Sequence, residues 1–327
     1  MAKALVNGLV ALLATGGSTN HTMHLIAVAR SAGYIINWDD FSEISNAVPL
    51  LTRIYPNGHA DINHFTAAGG MALLFKELLD AGLLHNDVKT ICGEGLDQYT
   101  KEPVLQDGEL VWRDGAEKSL DPEVLATVAN PFKPDGGLSV LKGNLGRAVI
   151  KTSALRTPHC HIKAPAVVFE DQFELDEAFR SGDLDKDCIV VVRFQGPAAI
   201  GMPELHRLTP PLGVLQDRGY QVALVTDGRM SGASGKVPAA IHVTPEAYKG
   251  GMLAKVQNGD MIELNTQTGE LKLCIDDSEL ESREATPASI DHHQIGMGRE
   301  MFAGMRATLT GAEEGACSLF VTQEQEV

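Results

Sequence analysis

The sequence is short of positive charge. Its 327 residues include 27 lysines and arginines against 43 aspartates and glutamates, which gives a net charge of −16 at pH 7. Because such a chain repels the phosphates of a nucleic acid, the composition argues against a nucleic-acid partner. It also offers no basic patch for an anionic membrane surface.

The chain has no long hydrophobic run either. The apolar stretch over residues 4–14 is too short to span a bilayer, and it lacks the charged start and the cleavage site of a signal peptide. We therefore expect a cytoplasmic protein without a membrane partner.

Cysteine is scarce and not arranged in pairs. The five cysteines are an odd number and form no C-x-x-C motif, so a disulfide framework is not expected. His159, Cys160 and His161 are consecutive, but adjacent residues of an extended segment point to opposite faces, which argues against a shared metal. Cys188 opens an apolar run and is expected to be a small buried hydrophobe.

The most informative segment is the glycine- and serine-rich stretch of residues 226–236, which we call the serine loop. It follows residues 220–225, predicted to form a buried strand, and ligands commonly bind beyond the carboxyl ends of strands in α/β sheets. Glycines let the backbone approach a ligand, hydroxyls donate or attack, and Arg229 and Lys236 attract an anion. A plain polar turn has a similar composition and is the alternative.

Two familiar motifs do not match the serine loop. In a Walker A alignment, Met230 replaces the first glycine and Val237 replaces the final serine or threonine. A nucleophile elbow needs glycine two residues before and two residues after its serine. Arg229 precedes Ser231 and Lys236 follows Ser234 at those positions, so the loop belongs to neither class.

Five segments, in order along the chain, resemble motifs of the dehydratase family that includes the dihydroxy-acid and 6-phosphogluconate dehydratases. They are residues 14–20 with His24 and Leu25, residues 136–145, residues 196–197 with 201–204, residues 223–232 and residues 242–247. Each motif alone is weak, but five matches in the family's order indicate membership.

The resemblance implies an α/β fold in two parts. Residues 1–119 are expected to be the C-terminal part of an N-terminal α/β domain, residues 120–137 a connection, and residues 138–327 a C-terminal swivelling, β-barrel-like (β/β/α) domain with an acidic tail segment. Two apolar helices are predicted near the start, with no earlier sequence to cover them. We therefore expect a fragment that begins within the first domain and exposes apolar surface.

The same resemblance implies the elimination of water from a sugar acid. The C2 proton leaves to a base, the C3 hydroxyl departs on an iron–sulfur cluster (4Fe-4S or 2Fe-2S), and Mg²⁺ stabilises the developing charge. The family's cluster cysteines and its other magnesium ligands belong to an N-terminal region that this chain does not match. None of the cysteines here is therefore expected to be a cluster ligand: Cys92, Cys160, Cys188, Cys274 and Cys317.

Two residues match the family's catalytic positions. Ser231 matches the catalytic serine and is expected to act as the base, which requires nearby positive charge such as Arg229. Glu204 matches a magnesium ligand and supplies the hard oxygen that this ion prefers. A serine that only hydrogen-bonds its loop, and a solvated surface glutamate, are the alternatives.

The glycine turn before the second predicted helix is a candidate substrate site. Ser18, Thr19 and Asn20 lead into a helix whose first amides are free, a geometry that receives anions. A plain N-cap is the alternative, and both roles can hold together.

Lys236 separates two branches of the family. Dihydroxy-acid dehydratases continue the loop with a Thr-His-Gly-like step, whereas a lysine suits a phosphorylated substrate, so Lys236 and Arg229 are substrate-binding candidates. The resemblance implies a hydro-lyase that converts 6-phospho-D-gluconate to 2-dehydro-3-deoxy-6-phospho-D-gluconate in the Entner–Doudoroff pathway, as a homodimer when complete. A dihydroxy-acid or other sugar-acid dehydratase, or a non-catalytic binding or assembly fragment, are the alternatives.

Local patterns predict the elements in more detail. Helices are predicted at residues 4–13, 21–29, 65–81 and 173–180, and from a cap at Asp39 or Asp40 through Ala47. A hairpin is predicted at residues 102–114 with its turn at 106–108. Further strands are predicted at residues 147–151, 166–169, 189–194, 221–225 and 261–265, the last paired with 270–275, and only one helix interrupts them.

Overall fold

A computed structural model describes residues 1–230 and 235–319. Its α-helices are α1 (Ala2–Ala14), α2 (His21–Ser31), α3 (Trp38–Ala47), α4 (Ile62–Ala67), α5 (Gly70–Asp80), α6 (Gln172–Ser181), α7 (Pro197–Ile200), α8 (Thr209–Asp217), α9 (Asp277–Ser282) and α10 (Ala303–Ala307). Within these ranges, no helix is long and apolar enough to cross a membrane.

The strands form one closed barrel and two small hairpins. They are β1 (Lys89–Thr90), β2 (Gly93–Glu94), β3 (Lys101–Gln106), β4 (Glu109–Asp114), β5 (Leu138–Gly143), β6 (Gly146–Lys151), β7 (His161–Phe169), β8 (Cys188–Val192), β9 (Val222–Thr226), β10 (Ala239–Thr244), β11 (Met261–Asn265) and β12 (Glu270–Leu273). The barrel order is β10-β6-β5-β12-β11-β7-β8-β9, so the chain is a mixed α/β protein, as the sequence predicts.

One side of the barrel is parallel. β7 pairs with β8, β8 with β9 and β9 with β10, all in parallel register. Their carboxyl ends therefore meet at one edge of the barrel, and the loops that leave them are neighbours in space. The serine loop is one of these, because it begins at the last residue of β9.

β8 and β9 are buried on both faces. Ile189 and Val191 join the core inside the barrel, whereas Cys188 and Val190 pack with α6 and α8 residues outside it. A parallel strand covered on both sides reads as a continuous apolar run without alternation. This is why the sequence predicts these strands well, and why the Cys188 thiol is buried as expected.

The N-terminal helices pack into a core of their own against the barrel. Leu9, Leu13 and Ile26 from α1 and α2 share this core with Trp38 and with residues of β5 and β6. The prediction that these two helices expose their apolar surface is therefore wrong. Their packing partners come from later in the chain.

Two predicted helix features are also wrong. The helix predicted over residues 65–81 is divided between α4 and α5, because Gly69 and Gly70 have positive φ values of 130° and 58° that an α-helix does not contain. The N-cap of α3 is neither Asp39 nor Asp40. Asn37 caps the helix and Asp40 returns the hydrogen bond as the partner in a capping box.

The strand region contains more helix than predicted. Besides α6, which confirms the helix predicted over residues 173–180, α7, α8 and α9 lie between or after the strands. Strands β5 and β10 are missing from the predicted set. The predicted hairpin is confirmed, with Asp107 and Gly108 at positive φ in the turn between β3 and β4.

The close approach of β5 and β12 predicts a sharp sensitivity at Gly143. A Cβ added there would lie 1.9 Å from the backbone oxygen of Leu271, so we expect Gly143→Ala to lower the free energy of unfolding by more than about 2 kcal/mol. Gly213→Ala is the matched control, because nothing lies within 4 Å of its added Cβ in α8. Urea unfolding of both variants tests this, and equal stabilities would contradict it.

Candidate active site

The serine loop leaves β9 into a crowded region. Gly228 has no room for a side chain, since a Cβ there would lie 2.6 Å from Leu205 Cδ1 and 2.7 Å from Gln195 Cβ. Ser231, the predicted base, lies outside the described residues together with residues 232–234. The described parts of the loop, on either side of that gap, define its surroundings.

Asp227 ties the serine loop to two neighbouring loops. Its side chain is fully buried; one carboxylate oxygen accepts a hydrogen bond from the Gln195 amide at 2.9 Å, and the other accepts from the Ala247 amide at 3.0 Å. Burial raises the pKa of Asp227 to about 7, while these amide hydrogen bonds oppose the increase. The carboxylate therefore fixes the ends of three loops relative to one another.

Glu246 holds the start of α7 in a similar way. Its carboxylate is nearly buried and accepts hydrogen bonds from the amides of Ala198, at 3.0 and 3.2 Å, and Ala199, at 3.3 Å. Burial raises the pKa of Glu246, and the amide bonds lower it. Glu204 lies in the segment that follows α7. Because Glu246 holds the start of α7, it positions Glu204 indirectly.

Arg229 and Glu204, both predicted site residues, contact each other. The Arg229 guanidinium forms an ion pair with Glu204 Oε2 and donates to the backbone oxygen of Met202 at 2.6 Å. The two residues also form an isolated parallel bridge. The second oxygen of Glu204, Oε1, is buried and has no hydrogen-bond partner within residues 1–230 and 235–319. It is a carboxylate oxygen available to a cation or a donor.

The predicted glycine turn reaches the same place from the N-terminal side. Thr19 is buried, and its hydroxyl donates to the backbone oxygen of Met230 at 3.2 Å, directly before Ser231. Ser18 Oγ accepts from the Asn20 amide at 3.3 Å. The side-chain oxygen of Asn20 is buried and makes no hydrogen bond with any residue that the structure describes. The structure thus brings the two predicted motifs together, although they are far apart in sequence.

His242 is a buried polar group beside this turn. Thr22 donates its hydroxyl proton to the backbone oxygen of Thr19 at 2.8 Å, so its oxygen accepts from His242 Nδ1 at 3.3 Å. His242 Nε2 is buried without a partner among the described residues. Burial, and then the charge of Arg229, lower the pKa of His242 to about 3, so the ring is a neutral acceptor and a weak base.

Lys151, the last residue of β6, places a positive charge next to Gly16 and Gly17 of the glycine turn. It is 7% exposed and donates to the backbone oxygens of Gly16 at 2.5 Å and Gly17 at 3.3 Å. Burial lowers the pKa of Lys151 to about 8. Asp227, Lys151, His242 and Glu246 were assigned no role by sequence reasoning. Only their placement in or beside matched motifs pointed to them.

Two cavities flank the serine loop. A small one of about 180 Å³ is lined by His24, Met202 and Arg229 on the side that precedes Ser231. Lys236 lies apart from these residues, on the side that follows the loop, where it lines a cleft of about 430 Å³. Its ammonium nitrogen lies 5.4 Å from the centre of the Tyr55 ring. Arg229 and Lys236 thus line different cavities.

The chain belongs to the dihydroxy-acid/6-phosphogluconate dehydratase family. Residues 1–99 match the family's N-terminal domain and residues 123–316 match its C-terminal domain. The family resemblance of the motifs is therefore confirmed.

The similar proteins include several phosphogluconate dehydratases. The chain is 63% identical over 314 residues to phosphogluconate dehydratase of Escherichia coli (strain K12), which covers 96% of this chain and 52% of the relative. It is 59% identical over 316 residues to that of Pseudomonas aeruginosa, covering 97% and 52%. Dihydroxy-acid dehydratase of Ignicoccus hospitalis is 38% identical over 286 residues, covering 86% and 49%. The chain spans about half the length of these curated relatives.

The buried His242 predicts a specific pH dependence of stability. The pKa of His242 in the folded protein lies near 3, below the ordinary histidine value of 6.5, so the unfolded state takes up a proton first as the pH falls below 6.5. The contribution of the neutral His242 ring to the free energy of unfolding is complete above pH 6.5. It decreases as the pH falls towards 3, and about 2 kcal/mol of it is lost at pH 5.

Replacing this ring by a side chain that does not titrate tests the effect. We expect the gap in unfolding free energy between the wild type and His242→Asn to shrink by about 2 kcal/mol from pH 7.5 to pH 5. Parallel curves for His242→Asn would contradict the assignment of a buried neutral ring.

Proposed function

We propose that this chain supplies part of the active site of a hydro-lyase that converts 6-phospho-D-gluconate to 2-dehydro-3-deoxy-6-phospho-D-gluconate in the Entner–Doudoroff pathway. The observation that carries the proposal is the hydrogen bond from Thr19 to the backbone oxygen of Met230, because it joins the two family motifs at the predicted base. The higher identity to phosphogluconate dehydratases, 63% against 38% for a dihydroxy-acid dehydratase, supports the choice of branch.

In the proposed reaction, Ser231 takes the C2 proton and the C3 hydroxyl departs, so that one water molecule is eliminated, and the resulting enol takes up a proton at C3 to become a 2-keto acid. A serine hydroxyl is a weak base at neutral pH and needs nearby positive charge to lose its proton. Arg229 stands two residues before Ser231, held by Glu204 and Met202, and Lys151 lies under the adjoining glycine turn. The buried Asp227 holds the loop in place.

The Glu204 side chain fits one ligand position of a magnesium ion. Its Oε1 atom is a buried carboxylate oxygen without a partner among the described residues, and Mg²⁺ prefers such hard oxygens. When bound, the ion polarises the substrate carboxylate and hydroxyl and thereby stabilises the charge that develops as the proton leaves. We propose Glu204 as this chain's contribution to that site.

The described residues do not fit an iron–sulfur cluster. Such clusters are held mainly by cysteine thiolates, but no group of three or more His, Cys, Asp or Glu side chains within residues 1–230 and 235–319 is arranged to hold a metal. Cys188 is buried, and burial raises the pKa of its thiol to about 11. We therefore derive no step through a cluster from this chain.

The division of the chain also remains a proposal. We propose an N-terminal part over residues 1–119, a connection over 120–137 and a swivelling part from 138 onward. The barrel begins with β5 at Leu138, which supports this boundary. We further propose that the complete enzyme is a homodimer, as in the resembled family.

A chimera tests the proposed activity and the role of Ser231. When this chain replaces the matching part of the E. coli relative, we expect dehydration of 6-phosphogluconate to a 2-keto acid. Ser231→Ala should reduce kcat at least tenfold, a loss of about 1.4 kcal/mol or more of transition-state stabilisation. Ser234→Ala removes a hydroxyl from the same loop and should keep most of the rate.

The chain expressed alone, after iron–sulfur reconstitution, is the second control. We expect neither a stoichiometric cluster nor turnover from it, judged by its visible spectrum, iron content and 2-keto acid production. A Ser231→Ala chimera with more than about a tenth of the parent kcat would remove Ser231 from the role of base.

Magnesium dependence tests Glu204 in the same chimera. Glu204→Gln removes the charge at nearly constant shape, so Mg²⁺ should bind more weakly and excess Mg²⁺ should partly restore the rate. Glu174→Gln, at an exposed position on α6, is the matched control. If the concentration of Mg²⁺ that gives half the maximal rate is unchanged in Glu204→Gln, Glu204 is not a ligand.

A further inference from the structure

The cleft of about 430 Å³ beyond the serine loop is rich in cationic and imidazole groups. His59, Arg156, His159 and Lys236 line it, and Asp217 is the one acidic side chain among its lining residues. The whole chain has a net charge of −16, whereas the lining of this cleft has more basic than acidic side chains. A cleft of this kind attracts anions.

Arg156 and His159 have polar side-chain atoms that make no hydrogen bond with the other described residues. The Arg156 side chain makes no ion pair or hydrogen bond with the described residues, and it is exposed to solvent. His159 Nδ1 is buried and has no hydrogen-bond partner in the part of the chain that the structure describes. Burial, and then the charge of Arg156, lower the pKa of His159, so the two side chains lie close enough to interact. Both are available to a ligand.

The cleft is continuous with the surroundings of the proposed base. Gly235, the first described residue after the gap, faces its wall: an added Cβ would lie 3.2 Å from Ala154 Cβ and 3.3 Å from Pro56 Cγ. Asn57 lines the cleft as well, and its side chain accepts a hydrogen bond from Ser153 at 2.8 Å.

Asn57 also connects the cleft to the glycine turn. A Cβ added to Gly16 would lie 2.3 Å from Asn57 Nδ2. The cleft therefore adjoins both motifs that meet at Met230. A substrate whose reacting carbons lie at the serine loop can extend its far end into this space.

We propose that this cleft binds the phosphate group of a phosphorylated sugar acid, with Arg156 and Lys236 pairing with its oxygens and His159 donating a hydrogen bond. Arginine presents a planar fork that matches phosphate, and lysine adds a compact charge. The identity of the ligand rests on the proposed function. The location of the anion site rests on the cleft alone.

Binding to the 327-residue chain tests this proposal without turnover. We expect inorganic phosphate and 6-phosphogluconate to raise the pKa of His159 in an NMR titration, because a bound anion favours the charged ring. Arg156→Gln and Lys236→Met should each weaken calorimetric binding of both ligands at least tenfold and leave gluconate binding unchanged. Arg180→Gln and Lys118→Met, at exposed positions outside the cleft, should bind like the wild type.

The outcomes separate the cleft from the proposed function. The cleft proposal is overturned if the wild type binds neither phosphate nor 6-phosphogluconate. It is also overturned if Arg156→Gln and Lys236→Met bind both like the wild type, or if gluconate binding weakens equally. An inactive chimera with phosphate binding that depends on Arg156 would refute the dehydratase function and support the anion site. If the chimera is active but Arg156→Gln and Lys236→Met bind phosphate like the wild type, the dehydratase function is supported and the anion site is refuted.

Discussion

The buried carboxylate of Asp227 is the constraint on which the site depends. It lies at the end of β9 without access to solvent, and its two oxygens accept backbone amides from the loops that follow β8 and β10. A buried polar group is costly unless it is hydrogen-bonded, so this carboxylate stabilises only the one arrangement in which both amides face it. These hydrogen bonds therefore also hold the loop that carries the proposed base.

Parallel pairing explains why these loops are near one another at all. Because β8, β9 and β10 run in the same direction, their carboxyl ends share an edge, and the loop of Glu204 meets the loop of Arg229 there. The N-terminal glycine turn closes the site from outside the barrel through Thr19 and through Lys151. The N-terminal helices and the barrel therefore share the proposed site, and neither contains it alone.

Charge in the molecule is distributed unevenly. The chain is acidic, with a net charge of −16, yet Arg229, Lys151, Arg156 and Lys236 border the serine loop or the cleft beyond it. Basic groups gathered in an otherwise acidic chain attract anions to this region. Burial keeps the His242 ring neutral, so this residue adds no positive charge to the buried interior of the site.

The sequence by itself determined the family, the mixed α/β class and the elements with strong local patterns. The continuous apolar runs of β8 and β9 and the Asp107-Gly108 hairpin turn are examples, since each depends on neighbouring residues. Local patterns failed where distant contacts or backbone angles decided the outcome. The break at Gly69-Gly70 and the burial of α1 against Trp38 and the barrel are of this kind. Only the tertiary structure assigned partners to Asp227, Lys151, Glu246 and His242, because their hydrogen bonds and burial come from residues far away in the chain.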